Sequence, residues 1–355
     1  LWREIFQIVY KKWYFSRLDG ARSCVWVSFV ALCTLVRLVT VDYGIYGWGD
    51  GSGAEQGMSI RYDEIGRRLR AFRLGSGMSA DEIAKRVGIS RTAVYRFEKG
   101  EVVKIETLAS LAELLGVSLP TLLGVEIEYI SSAVTYFERL RQLEEVADRL
   151  IVLAGPISFL LASDAFRASL EDLLKESVSG ENGRQNRLLQ DVERIIEVLK
   201  ERKRTYDQRR PAIVNLMSAL DIERLLRSGF VGRPFVSNAH IRERRERARA
   251  EIMHFVELIE AEPIGIQIGI VTGTLPHTGF QIFRSGDRKT LSISPFRLGE
   301  QPNIRLGVAM ITENPEAVSL HEQVVEEMWR HALKGREAAD YLRELIASVD
   351  ASVER

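Results

Sequence analysis

The stretch Tyr62–Gly124 constrains the fold of this chain more than any other part, because short apolar stripes alternate there with glycine at intervals that only short helices satisfy. Ile65, Leu69 and Phe72 recur at helical steps with Arg67, Arg68 and Arg70 between them, and Gly75 and Gly77 end that helix. Ser79 is a favourable N-cap, and Glu82 three residues later completes a capping box. A second helix therefore runs from about Ala80 to Val87, with Ile83, Ala84 and Val87 inward. Gly88 breaks it at a point where a positive φ costs glycine little. Ser90 caps a third helix, Arg91–Lys99, which Gly100 stops. Val94 and Phe97 face inward on it, while Arg91, Thr92, Tyr95 and Arg96 face outward. A fourth helix is expected at Ile105–Leu115, with Leu108, Leu111, Ala112 and Leu115 on one stripe. A short fifth spans Ser118–Leu123, with Pro120 tolerated in its first turn.

Two short helices joined by a tight glycine-containing turn make a helix-turn-helix unit, and Ala84 is the small residue that a close crossing of the two requires. Taken without further context, five such helices serve equally well as a protein-interaction module. The string Ser79-Ala-Asp-Glu-Ile-Ala-Lys-Arg-Val-Gly-Ile-Ser-Arg-Thr-Ala-Val-Tyr-Arg-Phe-Glu-Lys-Gly100, followed by Thr107-Leu-Ala-Ser-Leu-Ala-Glu-Leu-Leu-Gly-Val-Ser118, resembles the Xre-like family of phage repressors and Cro proteins. The resemblance covers less than a fifth of the chain, but apolar, small, glycine and Glu-x-Gly positions all agree in register. It implies an all-α, five-helix, lambda-repressor-like domain and a bacterial, cytoplasmic transcription regulator that binds double-stranded DNA as a homodimer.

The resemblance also implies residue roles. The third helix should enter the major groove, placing Arg91, Thr92 and Arg96 at base-reading positions with Tyr95 beside them. Ser90, Lys99 and the N-terminus of the second helix should meet phosphate. Arg73 and Glu98 match a structural ion pair of the family, and Ala84, Gly88 and Gly100 match its packing and turn positions. One departure stands out. Where the family often carries a glutamine just inside the second helix, this chain has Ala80, so the family's base-reading pattern does not transfer whole.

Charge supports the same assignment. The whole chain balances 49 Lys and Arg against 49 Asp and Glu. Met58–Gly124 has 11 basic and 8 acidic residues, and Val125–Arg355 has 32 and 36. The basic part carries the motif, and the acidic remainder is expected to point away from phosphate. Residues 1–57 differ in composition: they hold both cysteines (Cys24, Cys33) and Trp2, Trp13, Trp26 and Trp48. They read as upstream sequence ahead of a start at Met58, with a membrane anchor around Cys24–Val41 as the alternative, although Arg37 interrupts that apolar run. A membrane is not an expected partner. The cysteine-free remainder fits a reducing compartment.

Beyond Gly124, residues 125–235 read as a helical linker or dimerisation region. Glu128–Leu161 carries Ile130, Val134, Phe137, Leu140, Leu143, Val146, Leu150 and Leu153 at three- and four-residue steps, with charges on the other face. Such a helix either pairs two chains or packs on its own. Ser177–Gln185 reads as a loop, and Arg187–Arg204 as a charged helix. The basic stretch Arg202–Arg210 around Tyr206 is either a nucleic-acid contact or a solvated helix end. His240–Glu260 reads as a salt-bridged helix.

Residues 236–355 read as an α+β domain with a small mixed sheet. Its strands are expected at Ile264–Val271, Phe280–Arg284, Leu291–Ser294 and Arg305–Ile311, followed by helices Pro315–Leu333 and Arg336–Val349. It is similar to the C-terminal effector regions found behind Xre-like domains, which implies a small-molecule effector or control of oligomerisation there. No Walker loop, His-Glu-x-x-His or His-x-Lys motif, or cysteine nucleophile follows Met58. His277 lies in Thr272–Gly279, either a ligand-facing loop or simply an exposed one. The expectation is a multi-domain regulator and not an enzyme, with no catalytic residue, metal or cofactor. An antitoxin-like autorepressor that binds a protein partner, and an enzyme fused to a DNA-binding domain, are the alternatives.

Overall fold

The computed structural model describes residues 61–125, 127–153, 155–179, 185–232, 238–276 and 278–353. Residues 1–57, most of the Ser177–Gln185 loop, and His277 lie outside the described residues. Among the described residues, five helices come first: α1 (Tyr62–Ser76), α2 (Ala80–Val87), α3 (Arg91–Glu98), α4 (Ile105–Leu115) and α5 (Leu119–Leu123). Their limits follow the capping chemistry of the sequence. Ser79, Ser90 and Ser118 each accept a hydrogen bond from a backbone N–H three residues on, and the Ser79–Glu82 capping box is complete. Gly75 is a difference from expectation. It lies inside α1, where a Cβ would sit 1.7 Å from the Thr135 hydroxyl, so it permits a close crossing, and Gly77 alone ends the helix.

The remainder alternates strands and helices: β1 (Glu128–Ile130), α6 (Ala133–Val146), β2 (Arg149–Leu153), α7 (Asp164–Ser177), α8 (Gln185–Arg209), β3 (Ala212–Ser218), α9 (Ala219–Ser228), α10 (Asn238–Ala261), β4 (Ile266–Val271), β5 (Phe280–Ser285), β6 (Arg288–Ile293), β7 (Ala309–Thr312), α11 (Pro315–His331), β8 (Leu333–Lys334) and α12 (Gly335–Val353). All eight strands join one mixed sheet in the order β1-β7-β6-β5-β2-β3-β4-β8. β2, β3 and β4 are parallel, linked by the helical crossovers α7–α8 and α9–α10, and every other pairing is antiparallel.

This corrects the reading of 125–235 as helical. The expected single helix over Glu128–Leu161 is strand β1, helix α6 and strand β2, and β2 and β3 lie in the interior of the sheet. Leu150-Ile-Val-Leu153 and Ile213-Val214 are short apolar runs flanked by helices on a parallel sheet, and such runs match a helical stripe as well as a strand. The sheet is also larger than the small one expected, since β1, β2, β3 and β8 extend it. Its edges, β1 and β8, have three and two residues, too short to template pairing with another chain.

Nor is α6 a free helix that could pair two chains. Much of its charged face is buried along with its apolar one, because Arg139 and Glu144 meet partners from β1 and α8, while Glu138 pairs with Arg141 inside the helix and Glu145 stays half-exposed. Arg139 donates to Glu128 at 2.8 and 2.9 Å, Arg141 holds Glu138 through two bonds of 2.9 Å, and Arg202 of α8 donates to Glu144 at 2.6 and 2.9 Å. Gln142 donates to the Arg67 carbonyl of α1 at 3.0 Å. Arg202 and Tyr206 are buried, so these two residues form neither a solvated helix end nor a nucleic-acid contact, the two alternatives for Arg202–Arg210. One large core lies between the sheet and most of the helices and runs on into α1–α5, while a second, smaller core lies on the opposite sheet face under α11.

Candidate nucleic-acid interface

α2 and α3 form the helix pair that the sequence predicted. Ile83, Ala84 and Val94 are buried where they cross, and Gly88 between them adopts φ +76°. In that turn the N–H groups of Gly88 and Ile89 both donate to the Ala84 carbonyl at 3.0 Å, closing the end of α2. With Val94 turned inward, Arg91, Thr92, Tyr95 and Arg96 all emerge on the exposed side of α3, and Ser90 and Lys99 are exposed at its two ends. Ser90 Oγ accepts from the Ala93 N–H at 3.0 Å, leaving its hydroxyl proton for an outside acceptor. Ala80 is buried, so nothing at that position reaches outward.

The exposed arginines have defined settings. The Arg91 guanidinium sits 5.6 Å from the centre of the Tyr95 ring, which keeps it extended along α3. Arg96 donates through Nε to Glu101 Oε2 at 2.6 Å. Sequence reasoning did not single out Glu101, although it lies five residues along, in the loop that follows α3. The pair is open to solvent, with side-chain exposures of 63% and 44%, so it holds Arg96 only weakly. Removing the carboxylate releases Arg96 and also takes a negative charge away from the exposed side of α3. Glu101→Ala is therefore expected to tighten DNA binding by about 2–5-fold at fixed salt, the scale of an exposed pair worth up to about 1 kcal/mol. A competition titration reads this, and weaker binding would overturn it.

Behind the surface, Arg73 at the end of α1 donates to Glu98 through Nε (2.5 Å) and Nη2 (3.0 Å), anchoring the end of α3. Two glycines set how closely α1 and α3 approach. A Cβ at Gly66 would sit 2.4 Å from the Phe97 carbonyl oxygen. A glycine in the middle of a well-formed amphipathic helix is the signal that would have pointed to it. Gly100 has φ +89°, and a Cβ there would lie 2.7 Å from Asp63 Cα. Gly100→Ala should cost about 1–3 kcal/mol from the backbone conformation alone, before the overlap with α1 is counted. A lowered Tm together with weaker binding is the expected result; an unchanged Tm would mean that the turn has another conformation.

The five helices do not hang on a linker. Four residues separate α5 from β1, and an ionic cluster joins the two parts. Arg68 of α1 donates to Glu128 of β1 at 2.6 Å, Arg139 of α6 holds the same carboxylate, and all three side chains are at most 5% exposed. Glu64 of α1 accepts from Arg288 of β6 at 2.7 Å. Burial alone would push the Glu64 carboxyl upward. The Arg288 hydrogen bond and the charges of Arg288, Arg68 and Arg139 outweigh it and hold the pKa at about 2. Glu128, buried between Arg139 and Arg68, is likewise held below the usual carboxylate range. Sequence patterning had put Arg68 and Arg139 on the charged faces of their helices and had not singled out Glu64 or Glu128. Arg194 of α8 also reaches this part, its guanidinium lying against Gly77 in the turn before α2.

Among the described residues no helix is long and apolar enough to cross a membrane. No curated protein sequence matches the chain. Residues 64–123, which span α1 to α5, match a family model described as a helix-turn-helix domain, so the chain carries a helix-turn-helix domain of the kind that suggests a DNA-binding regulator.

Proposed function

We propose that the protein is a sequence-specific, DNA-binding transcriptional regulator of the Xre-like kind, bacterial and cytoplasmic, that uses α3 to read the major groove as a homodimer. The observation that carries this reading is the arrangement of α3. One side of it is pinned to the core through Val94 and the Arg73–Glu98 pair, while Arg91, Thr92, Tyr95 and Arg96 share the free side. Arginine forks suit guanine edges, and Thr92 carries a methyl that suits thymine. Ser90 and Lys99 flank them as phosphate contacts that set register. In this reading α1–α5 are the lambda-repressor-like five-helix domain, and the rest of the chain is a regulatory body, not an enzyme.

The ionic cluster shapes how regulation would work. With α1 bound to β1, α6 and β6, the reading helix turns with the body and not about a hinge at Val125. An effector would then act by rotating whole subunits relative to each other, changing the separation of two reading helices. A cleft of about 430 Å³ between α10, β4 and β8, lined by Trp329, Lys334, Glu262 and Gln267, is the place to look for such a ligand. The test of the function is binding of the full chain to fragments of its own upstream region across a salt series. Saturable binding to one fragment, weakening linearly in log–log form with salt, is the expected result. Equal affinity for every fragment would overturn sequence-specific reading.

A further inference from the structure

The two faces of the sheet are covered very unequally. Among the described residues, α11 is the one helix that contributes to the smaller core, while the other face is covered by the remaining helices of the body. α11 crosses the sheet from the end of β7 to β8 and leaves one corner open. A row of paired residues on this face shows where cover stops. Leu153 and Phe280 are buried, Ile293 and Met310 are half-buried, and Tyr129 on β1 is 54% exposed. Val308, two residues before Met310 and so on the same face, is 53% exposed. Next to this corner, α11 turns Leu320 (53% exposed) and Val324 (39%) outward. These two line a shallow cleft of about 660 Å³ together with Thr274, Leu275 and Pro276. Large apolar side chains grouped in this way on one face mark an interaction surface.

We propose that this face is where two copies of the chain pair, with α11 of one copy lying antiparallel against α11 of the other. The occupant follows from the charge pattern of the helix. Glu313 and Glu316 lie at its start, and Arg330 and His331 at its end. An antiparallel partner centred near Glu322 sets Leu320 against the partner's Val324 on both sides of the two-fold axis. The same register brings the acidic start of each helix to the basic end of the other. Within one copy, among the described residues, Arg330 meets the Glu327 carboxylate at 2.5 Å and His331 Nδ1 lies 3.0 Å from the Glu327 carbonyl and 3.5 Å from its carboxylate, and these exposed contacts hold both side chains weakly enough for them to turn to the partner. Opposed helix dipoles favour the same orientation. A helix pair alone is too small for the roughly 1,200–2,000 Å² that stable interfaces bury, and the open corner around Tyr129, Val308 and Met310 supplies further apolar area. An isologous contact of this kind closes at two copies.

This names the interface of the homodimer in the function proposed above, but its test needs no DNA, so the two can fail separately. Sedimentation velocity of the full chain should show a dimer at micromolar concentration. Leu320→Glu/Val324→Glu should convert it to monomer with an unchanged circular dichroism spectrum. Glu316→Arg should weaken the dimer, and Glu316→Arg/Arg330→Glu should restore it, which a merely structural role for either residue would not do. Gln323→Cys, with Cys24 and Cys33 changed to serine, places one thiol per copy close to the axis and should yield a disulfide-linked dimer under mild oxidation; this reading does not depend on how the charged variants fold. A monomeric wild type, or a dimer that survives Leu320→Glu/Val324→Glu and gives no cross-link, would overturn the proposal.

Discussion

Replacing Arg91 and Arg96 together by alanine is expected to erase sequence preference while leaving general DNA binding largely in place. Each arginine, paired bidentately with a guanine, is worth about 1–3 kcal/mol of discrimination, so the double change should cost specific affinity by roughly 30- to 10⁴-fold. The Arg96–Glu101 pair lowers the Arg96 share only slightly, because both side chains are open to solvent. Ser90, Lys99 and the α2 N-terminus remain, and with them the phosphate contacts proposed for them, which would give binding its salt dependence. The fold should survive, since both arginines are exposed and the core contact of α3 is Val94. Competition between the preferred fragment and random duplex reads the effect directly. If the variant keeps the wild-type ratio of specific to non-specific affinity, α3 is not the reading element.

The second large effect is on stability. Glu128→Gln leaves Arg68 and Arg139 buried with their shared carboxylate gone. Breaking such a pair typically costs about 3–5 kcal/mol, because a charge stays buried without compensation. At roughly 2–4 °C per kcal/mol for a unit of this size class, Tm should fall by about 6–20 °C. Arg68→Met/Glu128→Leu/Arg139→Met, which removes the charges along with the pairing, should recover most of that loss. A Glu128→Gln melt within a degree or two of wild type would mean that the cluster does not hold α1 to the sheet.

Acid should act on the same joint. Glu64 has its pKa lowered to about 2, against 4.5 when unperturbed. Its contribution is therefore complete above about pH 4.5 and is lost as pH falls from there towards 2, where the folded-state carboxyl takes up its proton. Thermal melts of wild type and Glu64→Gln should differ most at neutral pH and converge across that window. A difference that stays constant down to pH 2 would show that the carboxylate charge is not what Arg288 holds.

The sequence by itself determined what is local. Serine caps, the Ser79–Glu82 box and the glycine stops set α2 to α5, because each acts within four residues of the backbone groups it satisfies. The exposed set Arg91, Thr92, Tyr95 and Arg96 followed from one periodicity on one short helix. Strands β4 to β6 and the last two helices were legible for the same reason. Only the tertiary structure decided the rest. Whether Leu150–Leu153 and Ile213–Val214 are strand or helix depends on neighbours far away in sequence that pair with them on both sides. Whether Glu128 and Glu144 face water or the core depends on Arg68 and Arg202, some sixty residues away, arriving to neutralise them. A charge is written as polar in any one-dimensional pattern. Its burial becomes affordable only when three-dimensional packing brings the opposite charge, and that is why α6 read as a half-exposed helix and the joint between the two parts of the protein did not read at all.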